Sequence, residues 1–128
     1  MTSEGNPRSR HWTQLVDLAA SDVPHGHGRK AHLVRSGGTI LEVLVVRDAE
    51  GWTAIDTLCP HAGGRFEEAL VGGQLARCPL HDLRFDPRTG RCVSEACRPA
   101  NTFAVRAEGD ALFIELPFDA APLDALEP

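Results

Sequence analysis

The chain has 128 residues and a formal net charge of −5, which predicts one domain and disfavours binding to nucleic acid, whose phosphates require a basic protein face. No stretch approaches the ~20 apolar residues of a membrane-spanning helix, and the first residues lack the apolar segment of a signal peptide. We therefore expect a cytoplasmic protein without a nucleic-acid or membrane partner. With five Phe, two Trp and no Tyr, aliphatic residues must supply most of the core.

The N-terminal part of the chain predicts a tail, a strand and a long turn. Residues 1–10 are polar and without periodicity, which predicts disorder. Trp12 to Val16 predicts a first short strand, and turn residues dominate from there to Arg29. Within this turn, His25 and His27 are close enough in sequence to suggest a metal site, but a solvated loop is the simpler interpretation.

Three further strands are predicted before the middle of the chain. They span Ala31–Arg35, the β-branched stretch Thr39–Arg47 and the stretch Trp52–Leu58. Turns at Ser36–Gly38 and Asp48–Gly51 separate them. The last of these strands leads directly into a cysteine-containing loop.

The second half predicts a similar pattern. Leu83–Asp86 reads as a strand, and Asp86–Gly90 is a turn in which Pro and Gly suit the required backbone angles. A closing hairpin is predicted from Thr102–Arg106 and Ala111–Leu116, joined around Glu108–Asp110. In total we expect eight to ten short strands and hence an all-β domain over residues 11–118. Residues 119–128 are predicted to be a peripheral C-terminal tail.

Two loops in the middle of the chain each offer one thiolate and one imidazole. The first contains Cys59 and His61 in a Cys-x-His pattern, and the second contains Cys78 and His81 in a Cys-x-x-His pattern. A Rieske centre uses this donor set, because two His replace two Cys on one iron of a 2Fe-2S cluster. A structural zinc site also uses Cys2His2, but its usual spacing and helical context are missing. A vestigial site without metal is a third alternative.

The stretch from Cys78 to Gly90 resembles the Cys-Pro-x-His-Gly-x-x-Phe-Asp-x-x-Thr-Gly signature of bacterial Rieske ferredoxins and nitrite reductase small subunits. One position departs from it, since Asp82 stands where Gly is usual. The resemblance to the Rieske iron-sulfur family covers about residues 12–116. It implies the Rieske fold, in which three antiparallel sheets carry an inserted two-loop cluster-binding subdomain, here at about residues 58–86.

The same resemblance implies one Rieske-type 2Fe-2S cluster and its ligands. Cys59 and Cys78 would ligate the buried iron, and His61 and His81 the outer iron, where the imidazole edges would be the exit for electrons. Neutral imidazoles remove negative charge from the cluster, which raises its potential above that of an all-cysteine cluster.

Four positions differ from the high-potential respiratory members of the family. Those members carry a disulfide at positions that match Gly64 and Leu80, and hydroxyl donors at positions that match Leu83 and Phe85. Fewer hydrogen bonds to the cluster sulfurs stabilise the reduced form less. We therefore expect a low potential, near the lower end of the Rieske range of roughly −150 to +300 mV.

The remaining cysteines and histidines have simpler interpretations. Three interpretations of Cys92 and Cys97 stay open: two free thiols, a local disulfide between them or, as the least favoured, metal ligands. His11 and His32 are interpreted as ordinary surface or packing residues.

These observations predict a low-potential Rieske ferredoxin, not itself an enzyme, that carries single electrons from a flavin-containing reductase to a terminal oxygenase. An alternative is the small subunit of an assimilatory NAD(P)H nitrite reductase, bound to a large reductase subunit. A third hypothesis is a zinc-stabilised interaction module.

Overall fold

The computed structural model describes residues 11–58, 76–78, 83–93 and 99–122. Within these ranges there are nine strands and one short 3-10 turn, Ala20–Asp22. The strands are β1 (His11–Leu15), β2 (His27–Arg35), β3 (Ile40–Asp48), β4 (Gly51–Asp56), β5 (Ala76–Cys78), β6 (Leu83–Phe85), β7 (Thr102–Glu108), β8 (Ala111–Leu116) and β9 (Ala120–Pro122). In the same ranges, no helix has the length and apolarity that crossing a membrane requires.

The described strands pair in three antiparallel groups, two of which are continuous with each other. These are β1-β8-β7, β4-β3-β2-β9 and the hairpin β5-β6. Pairing between β4 and β7 joins the first two into one seven-stranded sheet in the order β1-β8-β7-β4-β3-β2-β9. Its outer strands β1 and β9 approach each other, so the sheet nearly closes into a barrel. The all-β prediction is confirmed.

Strand β3 is buried on both faces. Val43 and Val45 belong to the core inside the barrel, whereas Leu44 and Val46 belong to a second apolar cluster. A strand with one solvated face would alternate apolar and polar residues. Because both faces of β3 are covered, its sequence is instead a nearly continuous apolar run.

The second apolar cluster attaches the β5-β6 hairpin to the barrel. Ala76 and Phe85 of the hairpin pack there, and the Phe85 side chain is fully buried. The members of the cluster are Leu44, Val46, Ile55, Ala76, Phe85 and Ala100, with Cys92 packed against them. Burying one large apolar side chain in this way contributes about 1.5–3 kcal/mol.

The turn after β6 is built by the residues of the signature. The Asp86 carboxylate accepts a hydrogen bond from the Arg88 N–H (2.9 Å), and the Asp86 carbonyl accepts one from the Gly90 N–H (2.7 Å). Gly90 has a φ of +77°, and a Cβ built there would lie 2.0 Å from the Ala100 carbonyl oxygen. Only glycine therefore fits at this position.

Strand β2 starts earlier than predicted. His27 pairs with Arg47 of β3, so it belongs to a strand, and the expectation of a loop as far as Arg29 was wrong there. The nearby glycines suggested a turn, but the long antiparallel ladder with β3 extends through them. His25 remains in the turn, as predicted.

The chain after residue 118 also enters the fold. Ala120–Pro122 forms β9 and pairs with Leu33 to Arg35 of β2, so three residues of the predicted peripheral tail belong to the sheet. Alanine and proline have no preference for strands, so the sequence did not predict β9. Proline is nevertheless compatible with an edge strand, because such a strand needs fewer N–H donors. Before it, Phe118 makes an edge-to-face contact with Phe103, with ring centroids 6.3 Å apart.

We expect the Gly90→Ala variant to unfold more easily than wild type by at least about 3 kcal/mol, because the substitution combines a left-handed backbone with a clash against a carbonyl oxygen. Urea unfolding measures this difference. Gly109→Ala is the control, since Gly109 has a φ of +62° but open space around it; its cost should be about 1–2 kcal/mol. Equal costs for the two variants would contradict the close contact at Gly90.

Candidate metal centre

The structure describes the stems of the two predicted ligand loops. Cys59, His61 and His81 lie outside the described residues, and so do Gly64, Leu80, Asp82 and Cys97. Cys78 is the last residue of β5. The assignment of these ligands therefore stays a prediction, and the geometry below concerns the chain that leads to them.

The first loop follows β4, and its stem is held by two carboxylates. Thr57 is fully buried; its N–H donates to the Glu42 carbonyl (3.1 Å), and its hydroxyl donates to Glu42 Oε1 (2.7 Å). The next residue, Leu58, donates its N–H to Asp56 Oδ1 (3.0 Å). The backbone that enters Cys59 is therefore ordered up to the residue before this cysteine.

The second loop connects the two strands of the β5-β6 hairpin. Cys78 lies opposite Leu83, and Ala76 lies opposite Phe85, so residues 79–82 form the connection. Phe85 also forms a bridge with Cys92 on its other side. The Cys-x-x-His motif thus begins at the end of a short hairpin, and the buried Phe85 side chain anchors this hairpin to the barrel.

The two stems pack on one apolar cluster. Ile55 of β4 contributes from the first stem, and Ala76 and Phe85 contribute from the second. Ile55 and Ala76 precede Cys59 and Cys78 by only a few residues, so the packing brings the two stems together on one face of the barrel. Their donor set of two thiolates and two imidazoles fits a Rieske-type cluster.

A salt bridge anchors the signature turn to the β3-β4 turn. Arg88 forms an ion pair with Asp48, and its Nε lies 3.2 Å from Glu50 Oε1. Burial disfavours the charged form of Asp48, but the hydrogen bond and charge of Arg88 outweigh it and lower the pKa of this carboxyl. The pair stabilises the turn that follows the second loop.

His32 is part of a polar network that the sequence did not indicate. Its Nδ1 lies 2.8 Å from Asp17 Oδ2 and its Nε2 lies 2.9 Å from Glu42 Oε2. Ionised carboxylates only accept hydrogen bonds, so both contacts are hydrogen bonds when both ring nitrogens carry protons, that is, in the imidazolium form of His32. The interpretation of His32 as an ordinary packing residue was incomplete, although its register opposite Glu42 in a hairpin is a signal that could have revealed the pair.

The electrostatics of this network agree with its geometry. Burial opposes protonation of His32, but the hydrogen bonds and charges of Asp17 and Glu42 outweigh it and hold the pKa of His32 above its ordinary value. Burial likewise opposes ionisation of Glu42, whereas the Thr57 hydroxyl, His32 and Lys30 lower the pKa of Glu42 below its ordinary value.

Other candidate residues gain no metal-binding role. In residues 11–58, 76–78, 83–93 and 99–122, no group of three or more His, Cys, Asp or Glu side chains could hold a metal ion, which includes the surroundings of His25 and His27. Cys92 is a half-buried free thiol.

The barrel, the hairpin packed on it and the two Cys/His loops define a small all-β protein of the iron-sulfur class. The family description "Rieske [2Fe-2S] domain" matches residues 13–106, and the chain belongs to this family. Its cofactor is therefore a Rieske-type 2Fe-2S cluster. The sequence-based resemblance to the Rieske family is confirmed.

Similar proteins include ferredoxin components of dioxygenase systems. The chain is 31% identical over 113 residues to the ferredoxin component of the 2,4-dinitrotoluene dioxygenase system of Burkholderia sp. (strain RASC), which covers 84% of this chain and 98% of that protein. It is 37% identical over 78 residues to the ferredoxin component of the naphthalene 1,2-dioxygenase system of Pseudomonas aeruginosa, covering 57% and 72%. These relatives are electron carriers of multicomponent systems.

Solved structures show the same fold. The ferredoxin of carbazole 1,9a-dioxygenase from Nocardioides aromaticivorans IC177 matches with a TM-score of 0.63 and 26% identity, covering 86% of this chain and 98% of that one. A complex of reduced oxygenase and oxidised ferredoxin in carbazole 1,9a-dioxygenase contains a chain that matches with a TM-score of 0.63 and 26% identity, covering 81% and 92%. A protein described as an NADH-dependent nitrite reductase small subunit from Mycobacterium tuberculosis matches with a TM-score of 0.59 and 17% identity, covering 83% and 95%, which shows the fold alone.

The His32 network should make the stability of the protein depend on pH. Because the pKa of His32 is raised in the folded state, its contribution is complete below about pH 6.5 and is lost as the pH rises through the folded pKa. We expect the apparent melting temperature of wild type to fall over this range relative to that of His32→Gln. Subtracting one melting temperature from the other cancels the effects of the ionisable groups that both proteins contain.

His27→Gln is the matched control for this series, because His27 is an exposed histidine on the same strand. Its melting temperature should follow that of wild type at every pH. A His32→Gln profile parallel to that of wild type would show that the network does not bind a proton on folding.

Proposed function

We propose that this chain is a low-potential Rieske ferredoxin that carries single electrons from a flavin-containing reductase to a terminal oxygenase in the cytoplasm. The observation that carries the proposal is the similarity to the ferredoxin component of a dioxygenase system, over 84% of this chain and 98% of that protein. The role is that of an electron carrier, and the terminal oxygenase performs the catalysis.

Cys59, His61, Cys78 and His81 are the proposed ligands of the cluster. Two features support this assignment: each loop supplies one thiolate and one imidazole, and the stems of both loops share one apolar cluster. When bound, a 2Fe-2S cluster supplies a couple that takes up and releases one electron.

The low potential is proposed from the residues beside the second loop. Phe85 is fully buried among apolar side chains and has no hydroxyl to donate. Position 83 lies opposite Cys78 in the hairpin, so a hydroxyl there would be close to a proposed ligand, but this chain has leucine. Hydrogen bonds to cluster sulfur and its cysteines raise the potential, and two such donors are missing here.

The partner proposal extends what is known of similar proteins to this chain. A ferredoxin of 26% identity belongs to a complex with the oxygenase of carbazole 1,9a-dioxygenase. A reductase as electron donor is inferred from the existence of multicomponent dioxygenase systems. The net charge of −5 suits docking on a basic partner surface.

The two alternatives have weaker support. The similarity to nitrite reductase small subunits is at 17% identity and concerns the fold alone. A zinc-stabilised module would have to belong to the same family but bind a different metal through the same residues.

The protein purified without oxygen should contain iron and acid-labile sulfide in equal amounts, because a 2Fe-2S cluster has two of each. Its reduced form should give a Rieske-type EPR spectrum. Metal analysis, sulfide assay and EPR provide the measurement. A colourless zinc protein would overturn the proposed function.

Purification from the natural host separates the two redox hypotheses. A ferredoxin should elute apart from any large flavin- or sirohaem-containing chain. Stable co-elution with such a chain would support the nitrite reductase subunit instead.

Substitutions beside the second loop should move the midpoint potential in opposite directions. Leu83→Ser should raise it, since a hydroxyl opposite Cys78 can donate to a cysteine sulfur, whereas His81→Cys should lower it, since a thiolate adds negative charge. Redox titration followed by EPR measures both. Wild type itself should titrate near the lower end of the family range of roughly −150 to +300 mV.

Leu33→Val is the control for these titrations, because Leu33 lies in the barrel core, away from the second apolar cluster. Its midpoint should equal that of wild type. A strongly positive wild-type midpoint, or a His81→Cys midpoint unchanged from wild type, would contradict the low potential or the ligand assignment, respectively.

A further inference from the structure

A chain of hydrogen bonds runs from the end of β1 to the stem of the first loop. It consists of Asp17, His32, Glu42 and Thr57, and we call it the carboxylate–histidine chain. Asp17 accepts from the backbone N–H of His32 (3.2 Å) as well as from its ring, and Glu42 accepts from the other ring nitrogen. Glu42 in turn accepts from the Thr57 hydroxyl.

The last bond of this chain acts on the backbone that enters the first loop. The regular β3-β4 ladder ends at the pair Val43 and Asp56. Thr57 extends it by one step, because both its N–H and its hydroxyl donate to Glu42. Thr57 is fully buried and precedes Cys59 by two residues, so it is the last buried residue of the stem before this cysteine.

The Glu42 side chain is itself held on several sides. Its carboxylate accepts from Thr57 and from His32, and it lies 3.6 Å from Lys30 Nζ. Only 20% of the side chain is exposed. A carboxylate held by several donors on neighbouring strands has little freedom to rotate, so it presents Oε1 to the Thr57 hydroxyl in one orientation.

We propose that Glu42 and Thr57 are positioning residues for the first cluster loop, and that Asp17 and His32 hold Glu42 in place for this role. The inference rests on the proposed function, because it takes Cys59 to be a cluster ligand. Within the described residues, the carboxylate–histidine chain reaches the first loop at Thr57. It acts through the backbone between Thr57 and Cys59.

Thr57→Val tests the proposal, because valine keeps the shape of threonine and removes only the hydroxyl. We expect the variant to fold, to lose its cluster in air roughly tenfold faster than wild type, the factor that corresponds to a lost hydrogen bond to a charged acceptor, and to have altered EPR g-values. Thr57→Ser, which retains the hydroxyl, should restore both properties. Cluster loss is followed by visible absorbance well below the melting temperature.

Thr53→Val is the matched control. Thr53 is a buried threonine on β4, and its hydroxyl lies 3.4 Å from the carbonyl oxygens of Pro87 and Phe103, so among the described residues it makes no contact with the stem of the first loop but does contact the turn after β6. A general loss of stability would affect both valine variants, whereas a positioning role affects cluster lifetime and spectrum only in Thr57→Val. Equal lifetimes and spectra for the two variants would overturn the inference.

A double-mutant cycle with Glu42→Ala gives a second test, which holds even if one valine variant folds poorly. Because Glu42→Ala and Thr57→Val remove the same contact, the double variant should lose its cluster no faster than the faster single variant. If the cluster lifetime of the double variant is instead shortened by the product of the two single-variant factors, the two substitutions act independently, and this result would overturn the proposed chain.

Measurements on the wild-type protein separate a failure of this inference from a failure of the proposed function. A wild-type protein without iron, sulfide and a Rieske spectrum would overturn both. A wild type with these properties, together with Thr57→Val and Glu42→Ala variants that retain the cluster as long as Thr53→Val does, would overturn the inference and leave the proposed function intact.

Discussion

The apolar contact between the β5-β6 hairpin and the outer face of β3 and β4 is the constraint on which the site depends. The two Cys/His motifs are separated by 16 residues, and the proposed sharing of one cluster requires a fixed distance between their stems. Phe85 supplies that constraint, because it is fully buried against Leu44, Val46 and Ile55. Strand β3 must therefore be apolar on both faces, one for the barrel core and one for the hairpin.

The signature stretch from Cys78 to Gly90 then divides into two parts with different roles. Its first part carries the proposed ligands, whereas its second part is structural. Phe85 fills the apolar cluster, and Asp86 and Gly90 form a turn whose glycine packs against the carbonyl of Ala100. A motif that identifies a metal site from sequence is thus partly a motif for holding the hairpin on the barrel.

The fold class and the positions of most strands could be predicted, because alternation, β-branched runs and turn residues are local signals. The two ligand loops stay a prediction, which the sequence supports because the mixture of Cys and His has few uses. Strand β9 could not, because alanine and proline carry no strand preference and the pairing with β2 depends on a distant part of the chain. The role of His32 was missed for the same reason: its partners Asp17 and Glu42 are brought to it by the sheet.

The carboxylates of this network, one of which accepts from the stem of the first loop, are paired with cationic groups. An uncompensated carboxylate near a cluster would disfavour its reduction, since it would repel the added electron. Asp17 and Glu42 are instead matched by the imidazolium of His32 and by Lys30, so the four charges sum to zero. Glu42 can therefore orient Thr57 with the strength of a charged acceptor, while the charges of the network cancel one another when His32 is protonated.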